Sequence, residues 1–146
     1  VAGDGPLADA VRQAGKRLPN VEHLGWVPRR RLAAVMDGCD MLVLPSQEEA
    51  FGTIALEAMA RGRVVLVSRR CGILDWPDLA RGLFRIRQGE SLAAAIGRIG
   101  ALAPAERRKR ASAARRAAEA FNEAAVEDWL NVFRRLCARR QKGRRR

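Results

Sequence analysis

Asp40-Met41-Leu42-Val43-Leu44-Pro45-Ser46-Gln47-Glu48-Glu49-Ala50-Phe51-Gly52-Thr53-Ile54-Ala55-Leu56-Glu57-Ala58-Met59-Ala60-Arg61-Gly62 is the stretch that decides how this chain folds. Its opening, Asp40 to Leu44, is an apolar run with the length and β-branched content of a buried strand. Thr53 to Arg61 is rich in Ala, Leu, Met and Glu, all good helix formers. Gly62 stops the helix, and Val64-Val65-Leu66-Val67 reads as a second buried strand. A strand–loop–helix–strand unit of this kind makes the two strands parallel, with the helix crossing between them. Ligands of such units bind beyond the carboxyl ends of the strands, beside the helix N-terminus. Here that place is the loop Pro45 to Gly52.

The residue types in the loop point to a ligand of mixed character. Backbone N–H groups at Phe51, Gly52 and Thr53 face the loop mouth and suit a phosphate or another anion. Gly52 lets the backbone approach a ligand closely, having no Cβ. Glu49 and Glu57 would repel an anion, so their natural partners are hydroxyls, above all a sugar hydroxyl pair. Phosphate plus sugar is the combination that satisfies both. On the residues alone the plain alternative stays open: an acidic loop beside a helix that is only solvated.

Glu49, seven residues, then Glu57, with Phe51-Gly52 between them and Glu57-Ala58-Met59-Ala60 following, resembles the signature of retaining glycosyltransferases of family 4. Val1-Ala2-Gly3-Asp4-Gly5-Pro6-Leu7 is similar to that family's strand-to-helix turn in the donor domain. Val21 to Val27 is similar to its short strand ending in Gly25, and Ala34 to Pro45 to its helix and strand leading to Pro-Ser. The resemblance covers roughly residues 1–100 in the right order. It implies an α/β fold: a Rossmann-like parallel sheet flanked by helices, the C-terminal half of a GT-B fold, followed by C-terminal helices. The expected division is a donor-binding domain over 1–103, truncated at its amino end, C-terminal helices over 104–138 and a basic disordered tail over 139–146.

Along the chain, Gly3-Asp4-Gly5-Pro6-Leu7-Ala8 also fits a loose dinucleotide-binding fingerprint. Against a nicotinamide or flavin site, the strand near Val21 to Leu24 does not end in an acid, and Pro6 removes a backbone donor where a pyrophosphate would sit. The plainer reading is a tight turn entering a helix from Leu7 to Leu18, with Val11 and Leu18 on its buried side. His23, the single histidine, reads as structural. Gly25-Trp26-Val27-Pro28 is a loop that, by the resemblance, borders the nucleotide base, with Trp26 and Val27 offering backbone groups. In Ser68-Arg69-Arg70-Cys71-Gly72-Ile73-Leu74-Asp75, Cys71 stands where the family has a glycine and Asp75 where it has Glu, which implies a less flexible loop. Leu83 to Ile86 reads as the last strand, and Ser91 as the cap of a helix from Leu92 to about Leu102.

The chain has 146 residues and a net charge of +12. From Pro104 on there are fourteen Lys and Arg against five Asp and Glu, so most of the excess lies there. Ala105 to Ala120 reads as a helix with a basic face. Phe121, Ala125, Trp129, Val132 and Leu136 recur at helical spacing and predict a second, amphipathic helix from about Glu123 to Arg139. The arginines beyond it suit an anionic membrane surface. Nucleic acid is disfavoured as a partner: there is no recognised motif and no Tyr, and the basic residues lack interleaved aromatics. Three cysteines without metal-ligand spacing fit a reducing compartment.

By the resemblance, the activity is transfer of a sugar from a nucleotide diphosphate donor to a glycan or lipid-linked acceptor hydroxyl, with retention, in the cytoplasm or at the inner face of the membrane. Glu49 is the expected catalytic residue. Phe51, Gly52, Thr53, Glu57, Trp26, Val27, Gly3 and Gly5 are the expected donor-binding residues. No cofactor or metal is implied, because protein cations and the helix N-terminus neutralise the diphosphate. The family's phosphate-clamping Arg and Lys and its N-terminal acceptor domain would precede residue 1, so the chain alone is expected not to turn over. The competing class is a non-catalytic basic interaction module binding an anionic partner.

Overall fold

The computed structural model describes residues 1–143, with side chains described through Cys137. The chain divides into two compact units, Val1–Gly38 and Cys39–Arg146.

The first unit holds helices α1 (Ala8–Arg17) and α2 (Arg29–Asp37). The strand expected at Val21 to Leu24 does not form; a single parallel bridge joins Ala2 to Gly25. The Gly3 N–H donates to the Gly25 carbonyl (2.8 Å) and the Leu24 N–H to the Val1 carbonyl (2.9 Å), so the segment is extended but its partner is too short for a ladder. His23 is structural in this unit: its Nε2 lies 2.8 Å from the Gly3 carbonyl. Leu18 lies just beyond α1 and is 50% exposed, so it is not on a buried face; Val11 is half-buried. α2 opens on Arg29-Arg30-Arg31 with no acid in its first turn and no side-chain cap.

In the second unit, strands β1 (Met41–Leu44), β2 (Val64–Val67) and β3 (Phe84–Arg85) form a parallel sheet in the order β1-β2-β3. Met41 pairs with Val64 and Leu44 with Val67, while Leu66 pairs with Phe84. Helix α3 (Thr53–Ala60) crosses from β1 to β2, as the strand–loop–helix–strand pattern requires. β2, with a neighbour on each side, is wholly buried, whereas β1 at the edge is only half-buried. Val64, Leu66 and Phe84 pack with Ala95, Ile99 and Ala111. Ala95 and Ile99 come from α5 (Leu92–Gly100), whose cap Ser91 accepts a hydrogen bond from the Ala94 N–H (3.2 Å). Val65 and Val67 point to the opposite face by strand alternation and are fully buried.

Where two C-terminal helices were expected, one helix, α6, runs from Pro104 to Gly143. Nothing between Ala105 and Lys142 is Gly or Pro, so no residue breaks the i→i−4 ladder. Ala111, Ala114 and Ala118 are buried, and α6 packs on α3, β2 and the short helix α4 (Pro77–Ala80). Its first half therefore belongs to the same unit as the sheet. Beyond Phe121 the apolar stripe is open: Val126, Trp129, Phe133 and Leu136 are all more than half exposed. The helix continues through residues 139–143, where a disordered tail was expected; residues 144–146 lie outside the described residues. Among the described residues no helix is long and apolar enough to cross a membrane.

Candidate functional site

β1 and β2 end side by side, and the loops that leave them stay paired. The Ser68 N–H donates to the Leu44 carbonyl (3.0 Å), the Glu49 N–H to Arg70 (3.1 Å) and the Gly72 N–H to Glu49 (2.8 Å). Glu49 and Cys71 thus form an isolated parallel bridge beyond the strands. This bridge fixes the backbone of Glu49 as if it were still in the sheet. Gly72 is required there, since a Cβ would stand 1.9 Å from the Ala50 carbonyl oxygen.

Gly52 is the N-cap of α3 and has φ +92°, in the left-handed region that favours glycine. The N–H groups of Phe51, Gly52 and Thr53 donate to no backbone acceptor among the described residues. They are the open donors of a helix start, and the peptide dipoles of α3 add positive potential there. Thr53 and Glu57 are one turn apart on one face of α3, and helix side chains lean toward the N-terminus. Neither Glu49 nor Glu57 forms a hydrogen bond or ion pair through its carboxylate with another described residue. Both side chains are half-buried. The arrangement offers donors for an anion flanked by two acceptor groups for hydroxyls.

Cys71 is buried and wedged behind the loop, its thiol donating to the Phe51 carbonyl (3.4 Å). Burial pushes this thiol up from its ordinary pKa, and the nearby Glu49 charge adds to the rise against a hydrogen bond from the Ile73 N–H. The Phe51 carbonyl also accepts the Ile73 N–H (2.8 Å). The Phe51 ring stacks on Phe121 of α6 (6.0 Å between centroids), and Trp76 meets both rings edge-on (6.5 and 5.0 Å). Loop, turn and C-terminal helix are thereby clamped together.

Sequence reasoning gave Phe51 a backbone role and missed this clamp. Residues 51, 76 and 121 share no period that would have shown it. It also missed Ser68, whose buried Oγ has no hydrogen-bond partner among the described residues and sits at the carboxyl end of β2. Arg70, which follows β2 in the paired loop, forms an ion pair with Glu48 (3.1 Å). Asp75 ends the 3₁₀ turn Gly72–Asp75 and is exposed.

Gly3, Gly5, Trp26 and Val27 lie in the first unit, Glu49, Phe51, Gly52, Thr53 and Glu57 in the second. Gly3 has φ +123° at the turn before α1, and Trp26 is 78% exposed.

The family described as Glycosyl transferases group 1 matches residues 1–101. The chain belongs to that family. A GDP-mannose-dependent alpha-(1-6)-phosphatidylinositol dimannoside mannosyltransferase of Mycobacterium tuberculosis is 30% identical over 118 residues, 80% of this chain and 30% of the relative. A 2-deoxystreptamine N-acetyl-D-glucosaminyltransferase of Streptomyces fradiae is 30% identical over 117 residues, 78% of this chain and 28% of that protein. Among solved structures, sucrose-phosphate synthase from Thermosynechococcus elongatus superposes with a TM-score of 0.74 at 26% identity, over 93% of this chain and 37% of the other. The parallel sheet flanked by helices is that of a GT-B glycosyltransferase domain. The chain spans about 30% of the length of these curated relatives.

Proposed function

We propose that this chain is the donor-binding part of a retaining glycosyltransferase of family 4, which moves a sugar from a nucleotide diphosphate sugar to an acceptor hydroxyl. The observation that carries the reading is the α3 start. N–H groups of Phe51, Gly52 and Thr53 without a backbone acceptor lie beside the carboxylates of Glu49 and Glu57, which have no hydrogen-bond or ion-pair partner among the described residues. In this reading the N–H groups and the α3 dipole hold the diphosphate and stabilise the charge that builds on it as the sugar departs. Glu57 accepts hydrogen bonds from the ribose hydroxyls. Glu49, its backbone fixed by Cys71, accepts from hydroxyls of the donor sugar and orients it for departure. Within the first unit, Trp26, Val27, Gly3 and Gly5 are read as donor-binding residues, Trp26 and Val27 through backbone groups that face the base. No metal or other cofactor is assigned.

The acceptor is read as a glycan or a lipid-linked molecule, bound largely by an N-terminal acceptor domain. The mycobacterial relative, named for a phosphatidylinositol dimannoside, supports the lipid-linked case. That relative and the Streptomyces one are named for different sugars and acceptors, so the reading stops at the substrate class. The place of action is the cytoplasm, near the inner face of the membrane. Turnover is read as needing an acceptor-binding half in addition to this chain.

The test is to supply the protein containing this chain with a panel of UDP-, GDP- and ADP-sugars. Nucleoside diphosphate release and the anomeric configuration of the product are then read out. Release from one of them, with the donor's configuration kept in the product, is the expected result. No release from any of them, or an inverted product, overturns the reading.

A further inference from the structure

Beside β3 a cleft of about 450 Å³ has five arginines on its walls: Arg81, Arg85, Arg87, Arg98 and Arg110. Among the described residues no carboxylate lines it. Two acids pair with these arginines. Glu90 receives a two-pronged pair from Arg98 (2.7 and 2.9 Å), and Asp78 is paired with Arg81. Arg85, Arg87 and Arg110 form no ion pair with a carboxylate of the described residues, although the Arg87 charge contributes a minor share to keeping Glu90 ionised.

Two of the five are held in position. Arg98 is half-buried, and its pair with Glu90 is supplemented by a hydrogen bond to the Arg85 carbonyl (3.1 Å). The Arg110 guanidinium donates to the Arg81 carbonyl (2.8 Å) and lies over the Phe84 ring, 4.8 Å from its centroid. A guanidinium has five N–H donors in a planar fork, so each of these retains donors for a ligand. Cations gathered this closely repel one another, and a multiply charged anion among them relieves that repulsion. The fork geometry matches phosphate oxygens.

We propose that this cleft is a second anion site, separate from the α3 start, that takes a phosphomonoester or diphosphate group. It does not depend on the donor reading. Its wall includes Leu74, on the turn tied through Gly72 to Glu49, so the two sites share one turn. The phosphate is either a lipid headgroup or a soluble phosphate.

The test is a titration of the ¹⁵N-labelled chain with inorganic pyrophosphate at constant ionic strength, followed by amide chemical shifts. Saturable shifts are expected at residues 84–88 and 110. Arg85→Gln/Arg87→Gln should weaken this binding by about tenfold or more, since charged hydrogen bonds are lost. Arg115→Gln/Arg116→Gln, with equal charge loss on α6 outside the cleft, should change it less than about twofold, as expected for screened surface charges. Arg85→Lys/Arg87→Lys should recover only part of the affinity. A parallel arm uses phosphatidylcholine vesicles with and without a phosphatidylinositol phosphate. Vesicle binding lost in Arg85→Gln/Arg87→Gln supports the site with a lipid headgroup as its ligand. Pyrophosphate binding alone supports it with a soluble one. Equal losses in the two Gln pairs, or no saturable shift at 84–88, overturns the proposal. Shifts confined to 51–53 overturn it too, and leave the donor site standing.

Discussion

Cys71 fills the space that a side chain at position 52 would need: a Cβ on Gly52 would stand 2.7 Å from the Cys71 Sγ. The turn into α3 is therefore set by two residues nineteen positions apart. One has no side chain, and the other carries a buried thiol that caps the Phe51 carbonyl.

Gly52→Ala should cost about 2 to 4 kcal/mol, combining left-handed strain with overpacking. The contact with Cys71 makes that cost depend on residue 71. In a denaturation cycle of Gly52→Ala, Cys71→Gly and the double variant, Gly52→Ala should be cheaper by ~1 kcal/mol in the Cys71→Gly background. Strictly additive costs would show that the thiol is not what excludes a side chain.

Glu90 is held down to about 2, first by its hydrogen bonds from Arg98 and then by the Arg87 N–H. A carboxylate depressed in the folded state contributes stability above its unfolded pKa of 4.5 and loses it as pH falls toward 2. Between those values the wild-type chain should lose stability more steeply than Glu90→Gln, which has no proton to take up there. Parallel slopes in urea unfolding across this window would contradict the pairing.

Glu57→Gln, measured in the protein containing this chain, should weaken donor binding by ~1–3 kcal/mol through loss of a charged acceptor. Glu49→Ala should lower turnover more than donor affinity, because its contacts are assigned to the departing sugar. Calorimetry and steady-state rates separate the two. Unchanged donor affinity in Glu57→Gln would remove it from the site, and equal losses in Glu49→Ala would assign that residue to ground-state binding.

The basic end of α6 is expected to bring the protein to anionic membranes. The exposed stripe of Trp129, Phe133 and Leu136 leads directly into it. Lys and Arg near such a surface contribute ~1 kcal/mol each, and salt screens them over about 8 Å at physiological strength. Co-sedimentation with phosphatidylserine vesicles should fall with added salt and on deletion of residues 139–146. Binding that survives the deletion would assign the contact to the apolar stripe or to other charges.

The sequence by itself determined the second unit's frame. Residues 40–67 carry two short β-branched runs, a helix of good formers between them and Gly62 at its end; each is a local signal, and together they leave one arrangement, a parallel pair with the helix crossing between them. The positions of Glu49, Gly52 and Glu57 around the α3 start were legible for the same reason. The extent of Val21 to Leu24 as a strand was not, because a ladder needs a partner and only one bridge to Ala2 forms. Nor was the continuity of α6, where the change from basic to apolar pattern suggested two helices although no residue breaks the ladder. Only the tertiary structure brought Phe51, Trp76 and Phe121 together, set Cys71 against Gly52, and gathered arginines from residues 81 to 110 around one cleft. Those contacts join residues far apart in the chain, and periodicity reports only which face a residue takes, never what that face meets.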